Sequence, residues 1–448
     1  MKKRYLYLIT FIVFLLAAGF IVVKYKSNEN LKASAFYPLL DRKGISFQTE
    51  EWKSAKKKFD DAIKIARTNP DDTRSRIELA SLYIREARIT GNYMYYDQAA
   101  MKYVNEVLEK DPYNFEALTF KSLLYLSQHH FADGLALAEK AKEVNPYNAF
   151  VYGILVDGEV EMGNYAEAIK DADKMVSIRP DMRSYSRISY LREINGDDQG
   201  AIEAMKMAVD AGPRGDEATE WTRVQLGHLY ENAGDLKSAE MNYLLSLQYR
   251  PGYAYAIAGQ ARIAASLKDY DKAIAYYLQA DSLVNDYSFK EQLAVLYQFT
   301  DQKIKANELN EWLIEAMSKD AESGKNDDNI GHYADRELAY AWLRTGNYDK
   351  ALEHALAEYN RRPANIDVNE TVAWIYYNKG KYDKALPYLE VAMKTNSKSP
   401  VLLSHAGLIF AKAGDTKKAK SLLEKVINSQ ANIPGSLRMQ VSSVLNEL

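Results

Sequence analysis

A small residue returns along this chain at a nearly fixed interval. Counting from Ala100, the equivalent positions are Gly134, Ala168, Ala201, Ala239, Ala273, Ala306, Ala351, Ala385 and Ala419, at spacings of 34, 34, 33, 38, 34, 33, 45, 34 and 34 residues. A period of about 20–50 residues marks stacked supersecondary units, each too small to bury its apolar face alone. Helix punctuators are few, with 22 Gly and 11 Pro in 448 residues, which fits helices joined by short turns.

The fifth unit shows the pattern most fully. Leu226, Gly227 and Tyr230 are followed by Ala239, Tyr243 and Pro251. The recurring small residue faces Gly227 or its equivalents Ser122, Ala261, Ala294, Ala339, Ala373 and Gly407. Small side chains at both positions let two antiparallel helices approach closely, and a large residue fills the gap beside them. Gly163-Asn164-Tyr165, Gly196-Asp197, Gly234-Asp235, Gly346-Asn347-Tyr348, Gly380-Lys381-Tyr382 and Gly414-Asp415 stop the first helix of their units in a left-handed turn, and the polar residue starts the return helix. Pro112, Pro146, Pro180, Pro213, Pro251 and Pro363 close second helices, where a missing N–H ends the ladder.

On these residues the sequence resembles tetratricopeptide repeat proteins over 71–434, in ten units. The resemblance implies an all-α, right-handed superhelical solenoid whose first helices line a concave groove. Residues 50–70 read as a leading helix, with Ala55, Phe59 and Ala62 at second-helix spacing. Residues 435–448 read as a helix capping the last apolar face, as solenoids require. Three places depart from the period: about eight extra residues near 91–98, a stretched join at 212–216, and a polar excess at 323–330. Insertions in a solenoid map to surface loops, and loop growth is tolerated cheaply. The last also fits a bend that divides the solenoid into two sub-solenoids, 50–320 and 330–448.

The N-terminus sets location. Lys2, Lys3 and Arg4 precede an uncharged stretch from Tyr5 to Val23, closed by Lys24 and Lys26. As a helix this stretch spans about 28 Å, enough for the hydrocarbon core. Residues 1–24 therefore read as a single transmembrane anchor with 25–49 as a linker. A cleaved signal peptide, with Ala17 and Gly19 before the cut, is the competing reading. The positive charges before the span favour a cytoplasmic N-terminus, and both readings export the repeats to the extracytoplasmic side. A reversed anchor is the remaining alternative.

Chemistry is scarce. The formal net charge is -3 and cysteine is absent, so there is no basic footprint for nucleic acid and no thiol nucleophile, disulfide or Cys-ligated metal. Ser323-Gly324-Lys325-Asn326 lacks the upstream glycine and the hydroxyl of a phosphate loop, and neither a Gly-x-Ser-x-Gly elbow nor a His-Glu-x-x-His motif occurs. His129 and His130 diverge as neighbours and occupy a turn where other units carry Gly-Asn, so they read as turn residues. The chain is expected not to be an enzyme and to need no cofactor or metal.

Groove positions implied by the resemblance are Trp221, His228 and Glu231 in unit five, Tyr255 and Arg262 in unit six, Tyr333, Arg336, Tyr340 and Arg344 in unit eight, and Asp367, Glu370, Trp374 and Tyr377 in unit nine. Aromatics and arginines concentrate binding energy, although 34 tyrosines make packing an equal use for any one ring. The Lys and Asn pair with which some relatives grip a C-terminal carboxylate is missing: Thr119 with Leu123, Val224 with His228, Arg336 with Tyr340 and Glu370 with Trp374 stand there instead. The expected function is a membrane-tethered scaffold, held through residues 5–23, that binds protein or peptide partners. A surface receptor that stacks saccharide or another small ligand on its aromatic rings is the alternative.

Overall fold

A computed structural model of the chain describes residues 11, 13–16, 19, 24, 36–323 and 331–448. Most of the expected anchor falls outside these residues, as does the whole polar stretch 324–330. Among the described residues no helix is long and apolar enough to cross a membrane.

A leading helix, Glu50–Thr68, is followed by ten helical hairpins. They pair Thr73–Thr90 with Tyr93–Lys110, Phe115–Ser127 with Phe131–Val144, Ala149–Met162 with Tyr165–Ile178, Met182–Ile194 with Asp198–Asp210, and Glu217–Asn232 with Leu236–Tyr249. Units six to ten pair Ala254–Ser266 with Tyr270–Leu283, Tyr287–Phe299 with Lys303–Ser323, Asp335–Arg344 with Tyr348–Arg361, Ile366–Asn378 with Tyr382–Ala392, and Pro400–Lys412 with Thr416–Asn428. Gly435–Glu447 closes the stack, burying Leu437 and Val441 against Leu408, Leu423 and Val426 of the last unit. The first helix of each hairpin is called A and the second B.

All ten periodic small residues are buried, and the nine alanines among them are fully inaccessible. The ring of Tyr243 shows why size matters. A Cβ on Gly227 would lie 2.3 Å from it and one on Gly259 2.6 Å, so a single phenol packs between the A helices of two units. Return helices start on side-chain caps: Asp235, Asp269, Asn347 and Asp415 accept the backbone N–H three residues on, a bond worth about 1 kcal/mol each.

The extra residues of unit one form no loop. Its turn is only Gly91-Asn92, and both helices run to 18 residues against 13 and 14 in unit two. Eight residues are about two helical turns, one for each helix. The lengthened hairpin cradles part of the expected linker. Tyr83 Oη donates to the Tyr37 carbonyl at 2.5 Å, Tyr95 Oη to that of Pro38 at 2.7 Å, and Leu40 N–H donates to Tyr96 Oη at 3.0 Å. Arg42, 3% exposed, forks onto Glu86 at 2.6 and 2.9 Å. Residues 37–42 are thus packed against the repeats. Units seven and eight, between which a bend was expected, share a buried cluster of Leu313, Met317, Ala334 and Leu338.

The curvature of the stack brings it back onto itself. Contacts recur between residues separated by about 200 positions, close to six periods. Arg250 Nη1 donates to Glu51 at 3.0 Å and Asn285 N–H to the Thr90 carbonyl at 3.0 Å. Tyr333 N–H reaches the Gln128 carbonyl at 3.0 Å, and Asn365 Nδ2 reaches that of Glu161 at 3.0 Å. Ile366 N–H donates to Tyr165 Oη at 2.9 Å, and Asn432 N–H to the Glu231 carbonyl at 3.0 Å. The A–B turns of units one to five therefore abut the junctions that follow units six to ten. Glycines sit in this seam for a second reason besides ending helices. A Cβ on Gly91, Gly163, Gly196 or Gly234 would stand 2.1–2.5 Å from backbone atoms of the next superhelical turn, whereas at Gly346, Gly380 and Gly414 no described atom lies within 4 Å.

Candidate functional site on the concave wall

The seam closes the sides of the groove, so the A helices line the wall of a hollow rather than an open cleft. Two side chains report this geometry. Tyr190 keeps 40% of its surface accessible, yet burial pushes its hydroxyl far above the ordinary tyrosine value. His228 is only partly buried, and desolvation, reinforced by Arg262, pushes its imidazole down to about 3. Surface that a water molecule reaches but protein surrounds has both properties.

The structure brings five of the sequence-derived positions together at units eight to ten. Tyr340 Oη donates to Glu370 Oε2 at 2.8 Å, and the other carboxylate oxygen holds Nδ1 of His405. Arg336 Nε donates to Thr371 Oγ1 at 3.3 Å, which itself donates to the Asp367 carbonyl at 2.8 Å. The Trp374 ring stacks on His405 at 3.7 Å and 10°, and on Tyr377 at 4.8 Å and 8°. Burial alone would raise the Glu370 carboxyl, but His405, Arg336 and Tyr340 together hold it below the usual range. Arg336 has no ion pair within 4.0 Å among the described residues; Asp367, Tyr340, Glu337 and Glu370 act on it from farther away and keep it charged. The cluster is a three-ring stack beside an unpaired guanidinium. It lies in the units whose turns, at Gly346, Gly380 and Gly414, nothing described covers.

The remaining candidate positions serve the stack and its seam. Arg262 donates to Glu231 at 3.0 Å and to Tyr243 Oη at 3.0 Å, and Glu231 also accepts from Asn432 Nδ2 at 2.8 Å across the seam. Trp221 lies under the Arg88 guanidinium of unit one at 5.9 Å, with Arg88 paired to Glu217 at 3.1 Å. Tyr255 Oη donates to Asp286 at 3.1 Å. Arg344 donates to Glu291 at 3.1 Å and Asn310 at 2.9 Å, between neighbouring units. Tyr333 stacks on His130 at 4.0 Å and 19°, and Arg361 covers its ring at 4.4 Å. His405 and Thr371 were missed, although they occupy equivalent places in their units, 34 residues apart.

The family described as tetratricopeptide repeat matches residues 222–253, 254–286 and 366–398, and a second model with that description matches 403–432. The chain thus carries tetratricopeptide repeats in an all-α solenoid. Small glutamine-rich tetratricopeptide repeat-containing protein 2 of Saccharomyces cerevisiae is 30% identical over 131 residues, 29% of this chain and 36% of that protein. Photosystem I assembly protein Ycf3 of Prochlorococcus marinus is 36% identical over 78 residues, 17% of this chain and 45% of its own length. The chain thus spans less than half the length of these relatives. Among solved structures, the human IFIT1 dimer with PPP-AAAA is 16% identical, with a TM-score of 0.46 over 78% of this chain and 80% of the other.

Proposed function

We propose that the chain is a scaffold that binds a protein or peptide partner in extended form along its concave wall, with Arg336, Trp374 and Tyr377 as anchors and no catalytic step. Tetratricopeptide repeats mediate protein and peptide binding, and the reading rests on the ring stack beside an unpaired guanidinium. Stacked rings offer flat apolar area at little entropic cost, and a guanidinium with no carboxylate within 4.0 Å among the described residues is open to an acidic or carbonyl group of a partner. The seam bars sideways entry, so the partner enters from the uncovered end at units eight to ten. The uncharged stretch 5–23 supports tethering of the scaffold to a membrane, with the repeats on the extracytoplasmic side.

Crosslinking in intact cells, followed by recovery from detergent-solubilised membranes, tests the reading. Arg336→Ala and Trp374→Ala are each expected to lower partner recovery at least about tenfold, in line with a central anchor, with circular dichroism confirming that both variants fold. Undiminished recovery from both removes the wall as the binding surface.

A further inference from the structure

Where the seam passes unit eight, three metal-ligating groups meet from segments about 200 residues apart. His129 comes from the A–B turn of unit two, while His332 and Glu337 come from the start of unit eight; one ligand atom of each lies within 4.8 Å of the other two. One hydrogen bond of His129 leaves its other ring nitrogen free to ligate. A carbonyl can only accept, so His129 Nδ1, 3.0 Å from the Tyr333 carbonyl, is the protonated nitrogen, and Nε2 keeps its lone pair. A backbone carbonyl fixing the far nitrogen of the ring is the arrangement that orients metal-binding imidazoles. The third group is a carboxylate whose Oε2 is buried with no hydrogen-bond partner among the described residues. Leaving such an atom unpaired is costly to the fold.

His129 adopts φ +62° in its A–B turn, the position held by Gly91 and Gly163 in units one and three and by Lys268 and Asp301 in units six and seven. The pair is locked from both sides. The His129 and His332 rings lie 4.2 Å apart, and neighbouring His130 is tied by Nε2 to the Gly331 carbonyl at 2.6 Å.

We infer that His129, His332 and Glu337 form a binding site for one divalent transition-metal ion of the zinc class, which staples two successive superhelical turns. Two imidazoles and a carboxylate suit zinc, at bond lengths of about 2.0–2.2 Å. Around a tetrahedral ion the donor atoms come to roughly 3.4 Å apart, so no pair of donors, all within 4.8 Å of one another, has to close by more than about 1.4 Å as the site fills. The bound ion links segments 203 residues apart in sequence, and the seam then opens only with release of metal.

The chain is free of cysteine, so thiols contribute no background. Untagged full-length protein is titrated with Zn²⁺ by calorimetry, and Co²⁺ absorption reports coordination geometry. The expected result is one ion per chain, a visible tetrahedral Co²⁺ band, and affinity weakened at least about tenfold in His129→Ala, His332→Ala and Glu337→Gln. Zn²⁺ is also expected to raise the unfolding midpoint of the unaltered protein and not that of His332→Ala. Glu337→Gln keeps the side-chain shape, which separates ligand loss from misfolding. Absence of saturable binding, or affinity in all three variants equal to that of the unaltered protein, overturns the site. Binding lost only in Glu159→Gln, within the separate acidic group of Glu139, Glu159 and Asp171, overturns it as well.

Discussion

Replacing Gly163 by alanine probes the seam, with Gly380→Ala as an internal reference. Both glycines end an A helix in the left-handed conformation, at φ +82° and +70°, so a β-carbon at either costs about 1–2 kcal/mol. They differ in what the methyl group meets. At Gly380 no described atom lies within 4 Å, while at Gly163 the new carbon would stand 2.4 Å from the carbonyl carbon and oxygen of Ala364. Backbone cannot rotate aside as a side chain does, so the two superhelical turns must part locally. The hydrogen bonds at stake run from Asn365 Nδ2 to the carbonyls of Val160 and Glu161, at 3.3 and 3.0 Å, and from Ile366 N–H to Tyr165 Oη at 2.9 Å. At about 0.5–1.5 kcal/mol each, losing all three costs about 1.5–4.5 kcal/mol. Gly163→Ala is therefore expected to lose about 3–6 kcal/mol in urea unfolding and Gly380→Ala only about 1–2 kcal/mol. Amide hydrogen exchange localises the effect, because the Ile366 amide should exchange faster in the first variant alone. Equal losses in the two variants, or an Ile366 amide as protected as before, would show that the seam contributes nothing.

Two further outcomes follow from buried ionisable groups. His228, pushed down to about 3 by burial with Arg262 adding to it, stays neutral in the fold while the unfolded imidazole protonates near the ordinary value of 6.5. Its contribution to stability is complete above pH 6.5 and drains away as pH falls toward 3, because the unfolded chain binds the extra proton; His228→Gln should remove that part of the slope, and an imidazole NMR signal titrating near pH 6.5 would refute the placement. Glu159 goes the other way: burial first, then Asp171 and Glu139, push its carboxyl up to about 8, and its Oε2 has no described partner. The fold binds the extra proton between pH 4.5 and 8, so stability falls as pH rises through that window. Glu159→Gln should gain about 1–3 kcal/mol at pH 8 and little at pH 4.5, and a gain independent of pH contradicts the assignment.

The hairpins were legible because their determinants are local. A small residue every 34 positions, a turn glycine and a capping aspartate or asparagine each act within one unit, and the buried Ala239 and the Asp235 cap stand where the pattern puts them. Closure was not legible, because it follows from small rotations summed over six units. Gly163 and Gly380 look alike in sequence, yet one touches a neighbouring turn and the other touches nothing. The same limit hid the meeting of His129 with His332 and Glu337, whose sequence separation exceeds any motif. The eight extra residues of unit one were visible as length, but nothing in them said that each helix would grow by a turn to hold residues 37–42. At the concave wall, the repeat register found Arg336, Tyr340, Glu370, Trp374 and Tyr377 on one face. It could not tell them from Arg262 and Arg344, whose carboxylate partners come from neighbouring units.

An open solenoid behaves as a string of interchangeable modules: its stability is close to a sum over neighbours, and copies are added or lost with little penalty. Matching each turn of the first coil to a junction six modules later removes that freedom. Deleting one hairpin anywhere between Gly91 and Asn285 would shift every later pairing by one place and set side chains against the wrong backbone. Copy number becomes a fixed property of the molecule, and folding must bring together residues some 200 positions apart, which slows it relative to a chain of purely local contacts.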